Sequence, residues 1–296
     1  MRAYGNKSNC SLMNIFKAGF EDWEVEYLPD DGARISVLKY GGQDLLTSEP
    51  VDFKSPARYC GEYETRPVFG YDDCFPTVDA CFYPGGKIVC RDHGEICWQI
   101  WQTEIEDNRL ICSTDCLHPS VNFKRIMTFE GNRLIWRFEI TSLSSEQSHF
   151  LHVMHALLPL DRIIDIEIPE CRKIFDENKS KDTGLKSSAE LGEYLLTFQT
   201  GSFEMFLLRD ISDGFVKLSF STGLKLEIRF DIVLFPTLGI WWNKGGYPEF
   251  GHLRTECAFE PISGTCSDLS KSFKDGVYLS VKPGKPIVWE IMWTVS

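Results

Sequence analysis

Alternation with a period of two constrains this chain more than any other feature. In RLIWRFEIT (133–141), Leu134, Trp136, Phe138 and Ile140 point one way, while Arg133, Arg137 and Glu139 point the other. KLEIRFDI (225–232) sets Leu226, Ile228 and Phe230 against Lys225, Glu227, Arg229 and Asp231. A helix would scatter these apolar side chains around its axis, whereas a strand collects them on one face. Further runs of strand character fall at 23–28, 34–40, 109–113, 123–129, 149–157, 163–168, 194–199, 203–209 and 215–220. Near the end, GVYLSV and IVWEIMWTV flank KPGKP, a Pro/Gly turn between two extended segments. The polar stretch DENKSKDTGLKSSAE (176–190) has room for a helical turn but reads better as an exposed loop. With no repeat, low-complexity block or linker to divide it, the chain is expected to be all-β, a sandwich or barrel with few short helices, forming one domain over 1–296.

Charge narrows the partners. Asp and Glu number 43 against 31 Lys and Arg, a net charge of −12. Nucleic-acid binding draws its affinity from clustered Lys and Arg that displace counterions, and no run of five such residues occurs. Neither nucleic acid nor an anionic membrane surface is therefore an expected partner. A small neutral molecule fits better, as does one with a single local anionic group. The eleven cysteines, odd in number and without CxxC spacing, read as reduced thiols of a cytoplasmic protein, most of them core filler. The opening MRAYGNKSNCSLMNIF has no apolar segment leading to a small-residue cleavage site. No apolar run approaches the roughly 18 residues that span a bilayer.

A strand protein carries its chemistry on strand ends and loops. Four segments hold unusual polar residues there: GYDDCFPTVDA (70–80), RDHGEICWQIW (91–101), SHFLHVMHALLPL (148–160), and GIWWNKGGYP with RTECAFEPISG (239–248 and 254–264). His149, His152 and His155 recur every three residues, but on a strand His149 and His155 share one face and His152 takes the other. There is no HExxH pattern and a zinc site would need at least one further ligand, so the spacing is weak evidence for metal, and each also reads as a hydrogen-bonded core histidine. His93 lies in Asp-His-Gly-Glu ahead of Trp98 and Trp101. It reads either as part of a polar turn, with Gly94 supplying an unusual backbone angle, or as a histidine beside an aromatic wall suited to a pyranose face.

Glu256, Ala258 and Glu260 share a strand face, and Pro261 is expected to mark that strand's end. At about 13 Å apart along the strand, the two glutamates are too distant to be a retaining glycosidase pair. Glu260 alone reads as a solvated surface residue or as a general base at a strand mouth. Trp241 and Trp242 face opposite ways, one to the core and one to the rim, beside Asn243, Lys244 and a Gly-Gly turn. Asp72 and Asp73 precede a proline and either hold sugar hydroxyls or cap a turn.

Taken in order, these segments resemble the aldose 1-epimerase (galactose mutarotase-like) superfamily: an early HG segment, a histidine ending an apolar strand, and a late EP segment followed by small residues. GARISVLKYGGQDLL resembles the family's N-terminal strand and Gly turn, and KPGKPIVWEIMW its closing hairpin, so the resemblance covers nearly the whole chain. It implies a β-supersandwich that interconverts the α and β anomers of a sugar without metal or other cofactor. It further implies Glu260 as the base on the anomeric hydroxyl, His155 as the general acid on the ring oxygen, and His93 as a substrate-holding histidine. Those roles ask for an ionised glutamate near neutral pH and a histidine of similar pKa. Trp241, Trp242 and Asn243 are expected at the rim.

The chain also departs from the family. Where the family places a substrate-binding arginine, this chain reads RPVFGYDDCFPTVDA, which leaves Arg66 or Asp72 to take its place. The family's Thr-Asn-His-Tyr-Phe-Asn run is replaced by HVMHALLPL, which keeps the histidine and loses its polar neighbours, the mark of a divergent branch. Arg58, Arg66, Lys87, Arg91 and Lys244 lie near these segments and leave a hexose 6-phosphate open as the substrate. A carbohydrate-binding protein without turnover is a second reading. A glycoside-processing enzyme is a third, and needs Glu95 or Asp92 close to Glu260.

Overall fold

The alternating runs zip into antiparallel ladders. In the longest, Val121–Glu130 against Arg133–Ser142, Phe123 stands opposite Ile140, Met127 opposite Trp136 and Phe129 opposite Leu134. Such cross-strand apolar pairs make one sheet face a continuous surface that must be covered. The computed structural model describes residues 14–56 and 61–296. Residues 1–13, most of the opening segment considered for a leader, lie outside the described residues, as does Arg58.

Eight strands form the largest sheet, in the order Ile163–Glu167, Phe215–Phe220, Lys225–Arg229, Ile287–Val295, Arg133–Ser142, Val121–Glu130, Arg109–Cys116 and Gln102–Glu106. A second sheet runs Phe16–Phe20, Trp23–Leu28, Arg34–Tyr40, Tyr71–Cys74 and Val153–Ala156, with Gln43–Asp44 beside Arg34–Tyr40. A third runs Lys181–Asp182, Lys173–Asp176, Phe203–Arg209, Thr237–Lys244 and Thr255–Ile262. The last strands of the second and third sheets abut. Leu158 N–H donates to the Cys257 carbonyl at 2.7 Å, and Cys257 N–H returns the bond to Leu158 at 3.1 Å.

The second and third sheets lie over the eight-stranded one. Tyr71 packs on Trp136 with ring centroids 4.5 Å apart, Phe75 on Phe123 at 5.2 Å and Phe235 on Trp289 at 6.4 Å. The result is the all-β sandwich that the alternation predicts. Trp23, Trp136 and Trp293 are wholly enclosed in this layer, each contributing on the order of 2–3 kcal/mol of apolar burial. All nine described cysteines are free thiols, and no described helix is long and apolar enough to cross a membrane.

Three local expectations are corrected. The segment 194–199 is not a strand, because Ser188–Leu196 is an α-helix. Ser187 caps it by accepting the Glu190 N–H, and Leu191 and Leu195 bury one face. The same helix begins inside the stretch expected to be an exposed loop. The run 149–157 is two strands rather than one: Ser148–Phe150 pairs with Leu279–Val281, and Val153–Ala156 pairs with Tyr71–Cys74. KPGKP does make the expected turn between two strands, closed by an antiparallel bridge between Lys282 and Lys285, and Leu279–Val281 and Ile287–Val295 then enter different sheets. Finally, Thr255–Ile262 runs through Pro261. Pro261 shares the phase of Cys257, whose N–H points toward Leu158, so its missing donor faces away from the Thr237–Lys244 ladder.

Candidate active site

The seam between the second and third sheets is where alternation becomes chemistry. Cys257 and Phe259 point into the sandwich, so Glu256, Ala258 and Glu260 point out of it; likewise Ile240 and Trp242 are core, and Trp241 is not. On that outer face lies a cavity of about 750 Å³ whose lining includes His93, His155, Trp241 and Glu260. This is the size range of small-molecule sites. Gly239, opposite Glu260 in the ladder, lets the walls approach. A Cβ there would sit 2.8 Å from Met205, another cavity residue.

His155 reaches the cavity from Val153–Ala156, directly opposite Asp72 of Tyr71–Cys74. Its Nδ1 is 3.0 Å from Asp72 Oδ1 and 3.1 Å from the Tyr63 hydroxyl, which itself donates to Asp72 at 2.9 Å. Burial opposes a charge on Asp72, but Arg34, 3.0 Å from Oδ2, and His155 hold its carboxyl well below the usual range. An ionised Asp72 therefore accepts the Nδ1–H and leaves the Nε2 lone pair of His155 free. Burial, and then the nearby His93, lower the His155 pKa from its ordinary 6.5 against the pull of Asp72.

His93 comes from a strained turn. It sits at φ 59°, and the following Gly94 at φ 76°, where a Cβ would lie 2.0 Å from the Phe75 carbonyl oxygen. Only glycine fits there. His93 stacks on Tyr63 with centroids 3.7 Å apart and meets His155 edge-on at 4.9 Å. Its Nδ1 is 2.9 Å from Asp92 Oδ1. Burial works against its charge, yet the Asp92 hydrogen bond and the surrounding carboxylates raise its pKa above 6.5.

Glu260 corrects the expectation of an ionised base. Burial pushes its carboxyl up to about 8; His93 pulls it down, while Glu177 and Asp72 raise it further. At neutral pH the free site therefore holds a protonated Glu260 and a neutral His155. That pair carries one proton, the same count as a carboxylate with an imidazolium.

Of the residues expected to bind substrate, His93 and Trp241 line the cavity, and four others are placed elsewhere. Trp242 is 2% exposed and packs in the sandwich core. Asn243 is buried and braces the turn that follows, with Nδ2 donating to the Tyr247 carbonyl and Oδ1 accepting from Gly246 and Tyr247 N–H. Arg66 is spent on Asp31 and the Cys97 carbonyl, and lies over the Trp98 ring. Asp72 orients His155 and is not itself part of the lining. The sequence reading missed Tyr63, Arg34 and Arg254. Arg254 was within reach, because it shares its strand phase with Glu256 and Glu260. It lines the cavity and bonds Glu64 and Glu256, and Glu256 in turn receives the Trp241 indole N–H at 3.1 Å. Glu95 binds the Leu117 and His118 backbone amides instead of approaching Glu260.

His149 and His152 stand apart from the site. His152 is fully buried with Nε2 3.0 Å from Asp73, and His149 packs on Phe273 and Tyr278. One set of metal-ligating types does converge: Cys74, His93 and His155 offer ligand atoms within 4.8 Å of one another.

No family model matches the sequence, and no curated protein does. Solved structures do match. The Slr1438 protein from Synechocystis sp. PCC 6803 superposes with a TM-score of 0.75 at 16% identity, covering 99% of each chain. A galactose mutarotase related enzyme from Lactobacillus acidophilus gives 0.67 at 16% identity, over 96% of this chain and 97% of that one. A galactose mutarotase-like protein from Clostridium acetobutylicum gives 0.66 at 15% identity, over 96% and 98%. The identities are low and the coverage is nearly complete, so what is shared is architecture: this chain has the galactose mutarotase-like fold, in a divergent sequence.

Proposed function

We propose that the protein is a cofactor-independent aldose 1-epimerase-like isomerase acting on an uncharged sugar. The observation that carries the proposal is one cavity lined by Glu260 and by a His155 whose Nε2 lone pair is left free by Asp72. In the closed-ring complex, Glu260 as carboxylate takes the proton of the anomeric hydroxyl while His155 as imidazolium gives its Nε2 proton to the ring oxygen. The C1–O5 bond breaks and an aldehyde forms. After rotation about C1–C2, closure on the other face reverses both transfers. The neutral pair of the free site is the partner of the open-chain aldehyde. A hydroxyl donated to Glu260 favours the carboxylate and moves the shared proton to His155. His93 holds the sugar by hydrogen bonds, and the exposed face of Trp241 packs on its C–H surface.

Charge separates this from a hexose 6-phosphate. Besides the protonated Glu260, the described lining carries the carboxylates Glu64, Asp79, Asp92 and Glu177 against His93, tied to Asp92, and Arg254, which two glutamates already hold. Burial, and then the nearby Glu177, raise Asp79 to about 6. A phosphate dianion would be repelled there. Reduced thiols support a cytoplasmic setting. A carbohydrate-binding protein without turnover is the second reading, favoured by the protonated Glu260.

Anomer exchange followed by NMR, in weakly catalytic buffer over a panel of free and phosphorylated sugars, tests the proposal. Acceleration by the wild type that is lost in folded Glu260→Gln and His155→Asn supports the isomerase. Calorimetric binding of a free sugar without acceleration supports the binding protein. Thermal protection by a sugar phosphate alone overturns the uncharged substrate.

A further inference from the structure

The geometry points to a zinc site at the wall of the cavity, formed by His93 and His155 of its lining and by Cys74, buried behind them. The three arrive from separate places: the end of Tyr71–Cys74, the strained turn at His93–Gly94, and Val153–Ala156. Their ligand atoms lie within 4.8 Å of one another. Tetrahedral zinc sets its ligands roughly 3.5 Å apart, from bonds of about 2.0–2.3 Å, so side-chain adjustment of about an ångström closes the site.

The surroundings are those a metal needs. Each imidazole has its Nδ1 tied to a carboxylate, His93 to Asp92 at 2.9 Å and His155 to Asp72 at 3.0 Å. That fixes both tautomers with the Nε2 lone pairs available, the carboxylate–histidine–metal arrangement that orients ligands and raises their basicity. One thiolate with two imidazoles selects zinc over magnesium or calcium, which take oxygen ligands. The acidic lining offsets the charge of a dication. On binding, the Cys74 S–H bond breaks, its electron pair goes to zinc, and the proton leaves to solvent. Because His93 and His155 line the cavity, a water from it would complete the set of four ligands.

Zinc bound there occupies the His155 lone pair and stops proton transfer, so the metal is an inhibitor rather than a cofactor. That consequence rests on the proposed function. Binding itself does not.

Titration of the metal-free full chain with Co²⁺ tests the site, because a cobalt–thiolate bond gives a near-ultraviolet charge-transfer band. One Co²⁺ per chain is expected, displaced by Zn²⁺. Cys74→Ala and Cys74→Ser, both checked for native near-ultraviolet circular dichroism, should lose the band. Asp92→Asn should weaken binding about tenfold. Absence of the band in wild type, or its persistence in both Cys74 variants, overturns the site. Anomer exchange read in the same samples keeps the two ideas apart. A band without exchange leaves the metal site and removes the isomerase; exchange without a band does the reverse. Where both occur, Zn²⁺ should inhibit the wild type at least tenfold more strongly than Cys74→Ala, and equal inhibition overturns the inhibitory role.

Discussion

Asp72 Oδ1 lies 3.0 Å from Nδ1 of His155, directly across the ladder between Tyr71–Cys74 and Val153–Ala156, while Arg34 holds the other Asp72 oxygen at 3.0 Å. Its neighbour Asp73 makes the same kind of contact on the opposite face of the strand, with Arg125 at 2.6 Å and His152 at 3.0 Å. Alternation thus produces two buried Arg–Asp–His sets. One faces the cavity and sets the tautomer of His155. The other belongs to the core.

The two aspartates should separate under mutation. Removing one partner of a buried ion pair costs about 3–5 kcal/mol, so Asp72→Asn and Asp73→Asn should both lower the melting temperature. Only Asp72→Asn frees the His155 ring to take the other tautomer. Anomer exchange per folded molecule should fall at least about a hundredfold in Asp72→Asn, the scale of a lost acid–base contribution. It should change less than about threefold in Asp73→Asn. Equal losses in the two variants would reduce Asp72 to a structural residue.

The pH profile of the free site follows from the shared proton. His155 is held below 6.5 and Glu260 is raised to about 8, so the one-proton pair is dominant between those limits. The log of kcat/KM for anomer exchange should be flat there and fall tenfold per unit above about pH 8. An unshifted Glu260 would instead place the upper limb below 6.5, set by the histidine. Rates measured from pH 5 to 10 in mixed buffers decide between the two.

The same shift makes a stability prediction. Glu260 has an ordinary value of 4.5 and about 8 in the fold. Between those values Glu260 holds its proton in the native state and has lost it in the unfolded chain, so this group's contribution to stability falls as pH rises from about 4.5 to 8. Glu260→Gln keeps the shape of the acid and cannot ionise. It should match wild type near pH 4 and exceed it by on the order of 2–5 kcal/mol at pH 8. Urea unfolding at the two pH values measures the difference. A variant less stable than wild type at pH 8 would mean that Glu260 is ionised in the fold.

Alternation made the face of Glu260 and the split between Trp241 and Trp242 legible in the sequence, and the same count reaches Arg254. The contact between sheets was not legible. His155 and Glu260 are more than a hundred residues apart, and the strands carrying them meet through Leu158 and Cys257, whose backbone bonds leave no side-chain pattern. Nor did the change of sheet at Leu151 and His152 show, because that run is apolar on both sides of the break. Arg66 and Asn243 were misplaced for a different reason. A polar residue near a site serves a ligand or a neighbouring turn equally well, and only its partners tell which. The helix at Ser188–Leu196 did carry a signal in Ser187 and Glu190, which the strand-like YLLTF obscured.

The adjacent tryptophans give the sharpest separation of fold from function. Trp242 is buried against the core and Phe259, so Trp242→Ala leaves a large cavity and should cost about 3–5 kcal/mol. Trp241 lines the site, with its indole N–H on Glu256 and its ring against Phe203 and Tyr247. Trp241→Ala should cost less stability but weaken sugar binding by about tenfold, through loss of the aromatic face. Trp241→Phe, which keeps a ring and drops the Glu256 bond, should recover most of that affinity. Calorimetric titration with the sugar that the exchange panel identifies, alongside thermal melts, reads both effects. Sugar affinity unchanged in Trp241→Ala would remove this wall from the binding site.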